Sequence, residues 1–341
     1  MSHTHNTIAK KTGCVMIIIG TEVGAGILAL PIISAQLGFM VASLSMLLSW
    51  VVMLYTSLLI ADICISMPSG TSFSRMAKKI LGLPGAIISW LSFVVLLYAI
   101  SVAYISAASS AFHELITSVP ENILAIIFVF IFAAFIVMGV KTVDWVNRLL
   151  LTVKIIVLVS VCLILFNMIN PQNLLNKPLN LGVLFVAVPV IITSFTSHLI
   201  VPTLTDYLHK DSKAIFRVLI IGSTIPLILY FLWLIAVLGV LPLHGPISFM
   251  TSVFDHKSIN TANIGDVLTA IQQKVQMKSV TLGSNLFTDI SVMTSYLSVS
   301  LALYHFNIDS YRLKKLSNKF QTLVALTLTF LIPLLYLKIY F

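Results

Sequence analysis

Charge is what this chain has least of. Only 9% of its 341 residues are Asp, Glu, Lys or Arg, while 59% are hydrophobic and the mean hydropathy is +1.06. Water-soluble domains carry about 25% charged residues, so a soluble enzyme or cytosolic binding module is excluded. Acidic residues number just 11, and no two form a pair at catalytic spacing. With no Gly-rich phosphate loop and no nucleophile elbow either, chemistry on covalent bonds is not expected. Cysteine is limited to Cys14, Cys64 and Cys162, each in or beside an apolar run. They read as packing residues rather than a disulfide framework. No second His or Cys stands at ligand spacing from His198, so no metal site and no cofactor are expected.

What the chain has in place of charge is long apolar runs. Tested against the requirement of about 20 residues per membrane-spanning helix, nine segments qualify. They lie near 13–36, 39–65, 86–111, 122–140, 145–169, 182–203, 215–241, 282–305 and 320–340, the fourth being short. The fold class is an all-α polytopic membrane protein, with residues 1–12 as a short polar tail and 13–341 as one transmembrane domain. Basic residues set its orientation. Lys10, Lys11, Arg75, Lys78, Lys79, Lys141, Arg148, Lys210, Lys213, Arg217, Arg312, Lys314, Lys315 and Lys319 fall on the N-terminal side of the membrane. Lys177, Lys257, Lys274, Lys278 and Lys338 fall on the other. The excess marks the N-terminal side as cytoplasmic, and it explains the net charge of +9 without nucleic acid. Asp62, at a helix end before a Met-Pro-Ser-Gly turn, reads as interfacial.

Two spans are interrupted. The first holds Gly20-Thr21-Glu22-Val23-Gly24-Ala25-Gly26, three glycines and an acid at mid-membrane, where each helical Gly costs about 1 kcal/mol relative to Ala. Irregular backbone survives at that depth only when buried in protein or lining a wet cavity. A discontinuous helix offering free N–H and C=O groups to a polar ligand fits this; so does close packing through Gly24 and Gly26. The sixth span brackets Thr193, Ser194, Phe195, Thr196, Ser197 and His198 between Pro189 and Pro202. Proline removes a backbone donor, and Ser and Thr compete for the rest. Two interrupted spans in matching places are the best sequence sign of a transporter site.

Three further features need a partner inside the bundle. Lys154 lies about 15 Å into the fifth span, too deep to snorkel easily, and a midplane ammonium defaults to function unless it belongs to a structural ion pair. Ser291, Thr294, Ser295 and Ser298 share one face of the eighth span, with Asp289 just before them. Tyr98, Ser101 and Tyr104 recur on the third span, as an ordinary packing face or a substrate-facing one.

Gly20-Thr21-x-x-Gly-Ala-Gly-x-Leu-Ala-Leu-Pro31 resembles the first helix of the hydroxy/aromatic amino acid permease family, within the amino acid/polyamine/organocation superfamily. Supporting stretches are Tyr98–Ser106, Val143–Arg148 followed by Lys154-Ile-Ile, Pro189–Phe195, Ile220–Pro226 and Leu286–Ile290. The resemblance implies a LeuT-like 5+5 inverted repeat, with repeats near 13–169 and 182–341 and discontinuous helices 1 and 6. It implies proton-coupled uptake of aromatic amino acids, tyrosine before tryptophan, across the bacterial inner membrane. The only partners implied are the small-molecule substrate and the lipid bilayer. Carried over, the amides of Ala25 and Gly26 take the substrate carboxylate, and carbonyls around Glu22 and Phe195 take its ammonium. Gly20, Thr21, Gly24, Tyr104, Thr193, Ser194 and His198 complete the binding set, while Lys154 couples the proton with Ser291, Thr294, Ser295 and Glu22. Two departures stand out. Glu22 occupies a position expected to be small or uncharged; pairing with Lys154, carrying a proton or altering substrate preference are its open roles. The family usually has eleven helices and this chain reaches nine, so the alternative expectation is a shortened, transport-incompetent or partner-dependent amino acid-binding membrane protein.

Overall fold

The computed structural model describes residues 2–24, 26–69, 71, 73–175, 181–254, 264–311 and 317–340, and statements below refer to these. Fourteen α-helices follow in chain order. The first span is α1 (Ser2–Glu22) and α2 (Gly26–Leu37), bent by 50° at the break between them. The second is α3 (Phe39–Ser66). The third, α4 (Phe73–Leu115), joins the basic segment carrying Arg75, Lys78 and Lys79 to the span across a non-helical Gly82. Then come α5 (Glu121–Val137), α6 (Val140–Phe166) and the single turn α7 (Pro171–Leu174). The sixth span is α8 (Leu181–Ser194), a 3-10 turn over His198–Ile200, and α9 (Val201–Tyr207). The seventh is α10 (Ser212–Val240), capped by the Asp211 side chain on the Ala214 amide at 3.1 Å. The amphipathic α11 (Ile264–Val275) precedes the eighth span, α12 (Lys278–Ser310). The last apolar segment is α13 (Asn318–Leu326), a π-helical turn over Thr327–Leu331, and α14 (Ile332–Tyr340).

Seven helices are long and apolar enough to cross a membrane, and the bent α1–α2 pair makes an eighth. The ninth expected segment is α5, apolar from Ile123 onward but only 17 residues long. Helix α1 begins at Ser2, so the polar N-terminal residues are helical.

The chain divides into two compact units. The first comprises 1–59, 151–200 and 211–291, with a core of aliphatic residues from α2, α6, α8 and α10 around Tyr230 and Trp233. Its tightest packing is of α1 on α10 and of α2 on α8. Gly222 permits the former, since a Cβ there would lie 2.7 Å from Ile18 Cδ1. The second unit comprises 60–150, 201–210 and 292–341. Its core is aromatic: Phe128 meets Phe132 at 4.5 Å and Tyr296 at 4.8 Å between ring centres. Apolar side chains are exposed on both units, Leu44, Leu48, Val51 and Val52 of α3 and Ile123, Ile126, Ile127 and Phe130 of α5, as on membrane-facing or interaction surfaces. Asp62 is exposed, and all three cysteines are buried and unbridged.

Candidate functional site

Both interruptions are present in the backbone, and they use the same turn. Helix α1 closes with the Val23 amide still reaching the Ile19 carbonyl at 2.8 Å, but the Gly24 amide turns back onto Glu22 at 2.7 Å. In the sixth span, the Phe195 amide reaches Ile192 at 3.1 Å and the Ser197 amide turns back onto Phe195 at 3.1 Å. Each is a three-residue turn that ends a helix without continuing its ladder. The two breaks lie side by side because α2 packs on α8 at their shared edge. A Cβ on Gly26 would sit 2.7 Å from Ser194 Oγ and 3.3 Å from Ser194 Cβ, so only glycine allows this approach.

Two donors from neighbouring helices hold the broken ends. The Tyr230 hydroxyl of α10 is shared between the Glu22 carbonyl at 2.5 Å and the Ser194 carbonyl at 2.9 Å. It thus links the last residues of α1 and α8, and its ring packs edge-on against Phe195 at 5.2 Å. From α6, the wholly buried Lys154 ammonium donates to the Val23 carbonyl. The electrostatic logic is that of helix ends. The C-terminal carbonyls of α1 and α8 carry partial negative charge and attract donors and cations, whereas the N-terminal end of α2 at Gly26 attracts an anion. A zwitterionic ligand matches that polarity. Tyr230→Phe is expected to destabilise the unit by about 1–3 kcal/mol, because it removes the hydroxyl shared by two buried carbonyls, of which Glu22 keeps only the Gly24 amide. Thermal unfolding in detergent is the measurement, and an unchanged midpoint would deny the hydroxyl this linking role.

The site residues read from the sequence meet different fates. Gly20, Glu22, Gly24, Ser194 and Phe195 are buried around the breaks, with Gly26 at the point of contact. Ala25 lies outside the described residues. Thr21 turns its hydroxyl onto its own helix at Ile17 O, 2.8 Å away. Thr193 is exposed and does likewise to Val190 at 2.9 Å. His198 is half-buried and faces α3, with Nε2 2.8 Å from Thr56 Oγ1. Neither Glu22 carboxylate oxygen accepts a hydrogen bond of normal geometry. Ser291 is buried in the first unit; Thr294 and Ser295, also buried, belong to the second, as does Tyr104, which packs against its aromatic core. The residue the sequence reading missed is Tyr230. Its signal was one phenol hydroxyl in the apolar stretch after Pro226, and nothing in local pattern distinguishes that from packing.

Interrupted first and sixth spans whose half-helix ends meet in one unit define a secondary-transporter architecture. The fold is that of the solved structure of Mhp1, a nucleobase-cation-symport-1 family transporter in a closed conformation with bromovinylhydantoin bound. The TM-score is 0.63 at 12% identity, over 96% of this chain and 74% of that one. The chain belongs to the tryptophan/tyrosine permease family, whose model matches residues 7–341. It is 30% identical to the tyrosine-specific transport system 2 of Haemophilus influenzae, over 97% of this chain and 80% of that protein. Similarity is equal, at 30%, to glutamine transporter 2 of Aliivibrio fischeri, over 96% of this chain and 80% of the relative. The tryptophan-specific transport protein of H. influenzae is 28% identical, over 95% and 78% respectively.

Proposed function

We propose that this chain is a proton-coupled importer of aromatic amino acids, preferring tyrosine to tryptophan, in a bacterial inner membrane with its N-terminus cytoplasmic. The observation that carries the reading is the Lys154 ammonium bonded to the Val23 carbonyl at the first break. A protonated lysine there occupies the negative end of α1 and steadies the turn. The adjacent N-terminal end of α2 is left to take a substrate carboxylate. Loss of the proton weakens the bond to the Val23 carbonyl, since a neutral amine is a poorer donor, and loosens α1 from α6. Occupancy of the site and protonation of one side chain thereby bias the same two-state element, which is what coupling requires. Alternating access then follows from rocking of the first, second, sixth and seventh helices.

Substrate preference rests on the relatives, and those named for tyrosine and for glutamine are equally similar to this chain. The test is uptake of radiolabelled tyrosine, tryptophan and glutamine into proteoliposomes, with and without an imposed pH gradient, inside alkaline. Accumulation of tyrosine above tryptophan and glutamine, dependent on the gradient, is the expected outcome. Uptake insensitive to the gradient would overturn the coupling; a preference for glutamine would overturn the substrate.

A further inference from the structure

A second titratable group lies at the first break, and the coupling scheme above does not use it. Glu22 is 3% exposed, and its polar neighbours are the hydroxyls of Ser197 and Ser223, neither at normal hydrogen-bond geometry to its carboxyl oxygens. Three titratable side chains make contacts at or beside this break. Lys154 of α6 donates to the Val23 carbonyl, Tyr230 of α10 donates to the Glu22 main chain, and His198 lies beyond Ser197. Facing helix α3 contributes hydroxyls only, from Thr56 and Ser57. An uncompensated buried carboxylate costs several kcal/mol, and uptake of a proton removes that cost.

From Glu22 a line of exchangeable groups leads away through one unit. Ser197 Oγ lies 3.1 Å from Ser57 Oγ, and Ser57 Oγ lies 3.5 Å from His198 Nδ1 and 3.4 Å from Nε2. The histidine tautomer follows from its other contact. Thr56 Oγ1 donates to the Val52 carbonyl at 2.9 Å, so its oxygen accepts from His198 Nε2 at 2.8 Å. Ser57 Oγ lies about equally far from both ring nitrogens, so Nδ1, the one left without a proton, is its acceptor. His198 is half-buried, whereas Ser57 and Ser197 are buried.

We infer that Glu22, Ser197, Ser57 and His198 form a proton relay, with Glu22 as a second proton-binding site distinct from Lys154. The carboxyl passes its proton to Ser197 Oγ, Ser197 passes its own to Ser57, and Ser57 passes its own to His198 Nδ1. One O–H bond breaks and one forms at each hydroxyl, leaving a Glu22 carboxylate and a His198 imidazolium that discharges to water. Running in reverse, the relay loads Glu22. The inference rests on the transport reading for its physiological use, but the proton site can be examined without transport.

Infrared difference spectra of the purified protein between acid and alkaline pH are expected to contain the carbonyl stretch of a buried carboxyl. That band disappears in Glu22→Gln, shifts in Ser197→Ala and persists in Lys154→Met. In proteoliposomes, Glu22→Gln lowers the equilibrium accumulation of tyrosine about tenfold per pH unit of gradient, the loss of one coupled proton. Ser57→Ala slows gradient-driven uptake at least tenfold with the accumulation ratio unchanged. A band retained in Glu22→Gln overturns the proton site, and a wild-type uptake rate in Ser57→Ala overturns the relay. Wild-type uptake that ignores the gradient defeats the coupling reading alone, because the infrared band still decides whether Glu22 binds a proton.

Discussion

Lys154→Met is expected to reduce gradient-driven tyrosine accumulation to the level of protein-free vesicles while leaving membrane abundance unchanged. The side chain is wholly buried and donates to the Val23 carbonyl at the end of α1. A hydrogen bond from a charged group contributes about 1.5–3 kcal/mol, so its loss shifts the occupancy of the steadied turn by roughly 10- to 100-fold. Methionine matches the lysine stem in length but cannot carry a proton. Removing the buried charge offsets the hydrogen bond lost at the Val23 carbonyl, so the variant is expected to unfold near the wild-type temperature. That combination, a sound fold with no coupled transport, separates coupling from folding. Wild-type pH dependence in Lys154→Met would remove this residue from the mechanism.

The second large effect is expected at Gly26. Valine there forces two branches into a space where even a Cβ meets Ser194 Oγ at 2.7 Å and Ser194 Cβ at 3.3 Å. Overpacking of this kind costs about 1–3 kcal/mol. The cost falls on the contact between α2 and α8, which holds the two breaks together. Tyrosine binding, read by equilibrium dialysis or scintillation proximity, is expected to weaken at least tenfold in Gly26→Val. A double-mutant cycle gives the sharper test. Gly26→Ala clashes mainly with the Ser194 hydroxyl, so Ser194→Ala in that background recovers part of the binding, with a coupling energy of about 0.5–3 kcal/mol. Strictly additive losses would mean that the two residues do not meet.

Much of the architecture was legible without coordinates, for physical reasons that particular residues make plain. The apolar runs mark the spans because hydrocarbon tolerates little else. The glycines from Gly20 to Gly26 and the prolines flanking Thr193–His198 mark the interruptions, because those residues withdraw support from the backbone ladder. The depth of Lys154 marked it as a group needing a partner, and its burial is complete. The serine stripe of α12 was identified as inward-facing, and Ser291, Thr294 and Ser295 are buried.

Less of the site was legible. Thr193 was grouped with Ser194 by adjacency, yet Thr193 is exposed and only Ser194 meets Gly26. Helical hydrogen bonding extends from the first span back to Ser2, through Gly13. Polarity alone does not end a helix. His198 was read for the substrate set, and its ring instead faces Thr56 and Ser57 on α3.

The amino-acid sequence by itself determined the spans, the places where two of them break and the residue types gathered there. Each of those depends on local composition and on the solvent surrounding the helix. Only the tertiary structure decided the partners: Tyr230 joining the ends of α1 and α8, Lys154 on Val23, and Ser57 beside Ser197 and His198. These contacts join residues up to 208 positions apart. Helical periodicity says which face a side chain shares, but only packing determines which helix lies opposite that face.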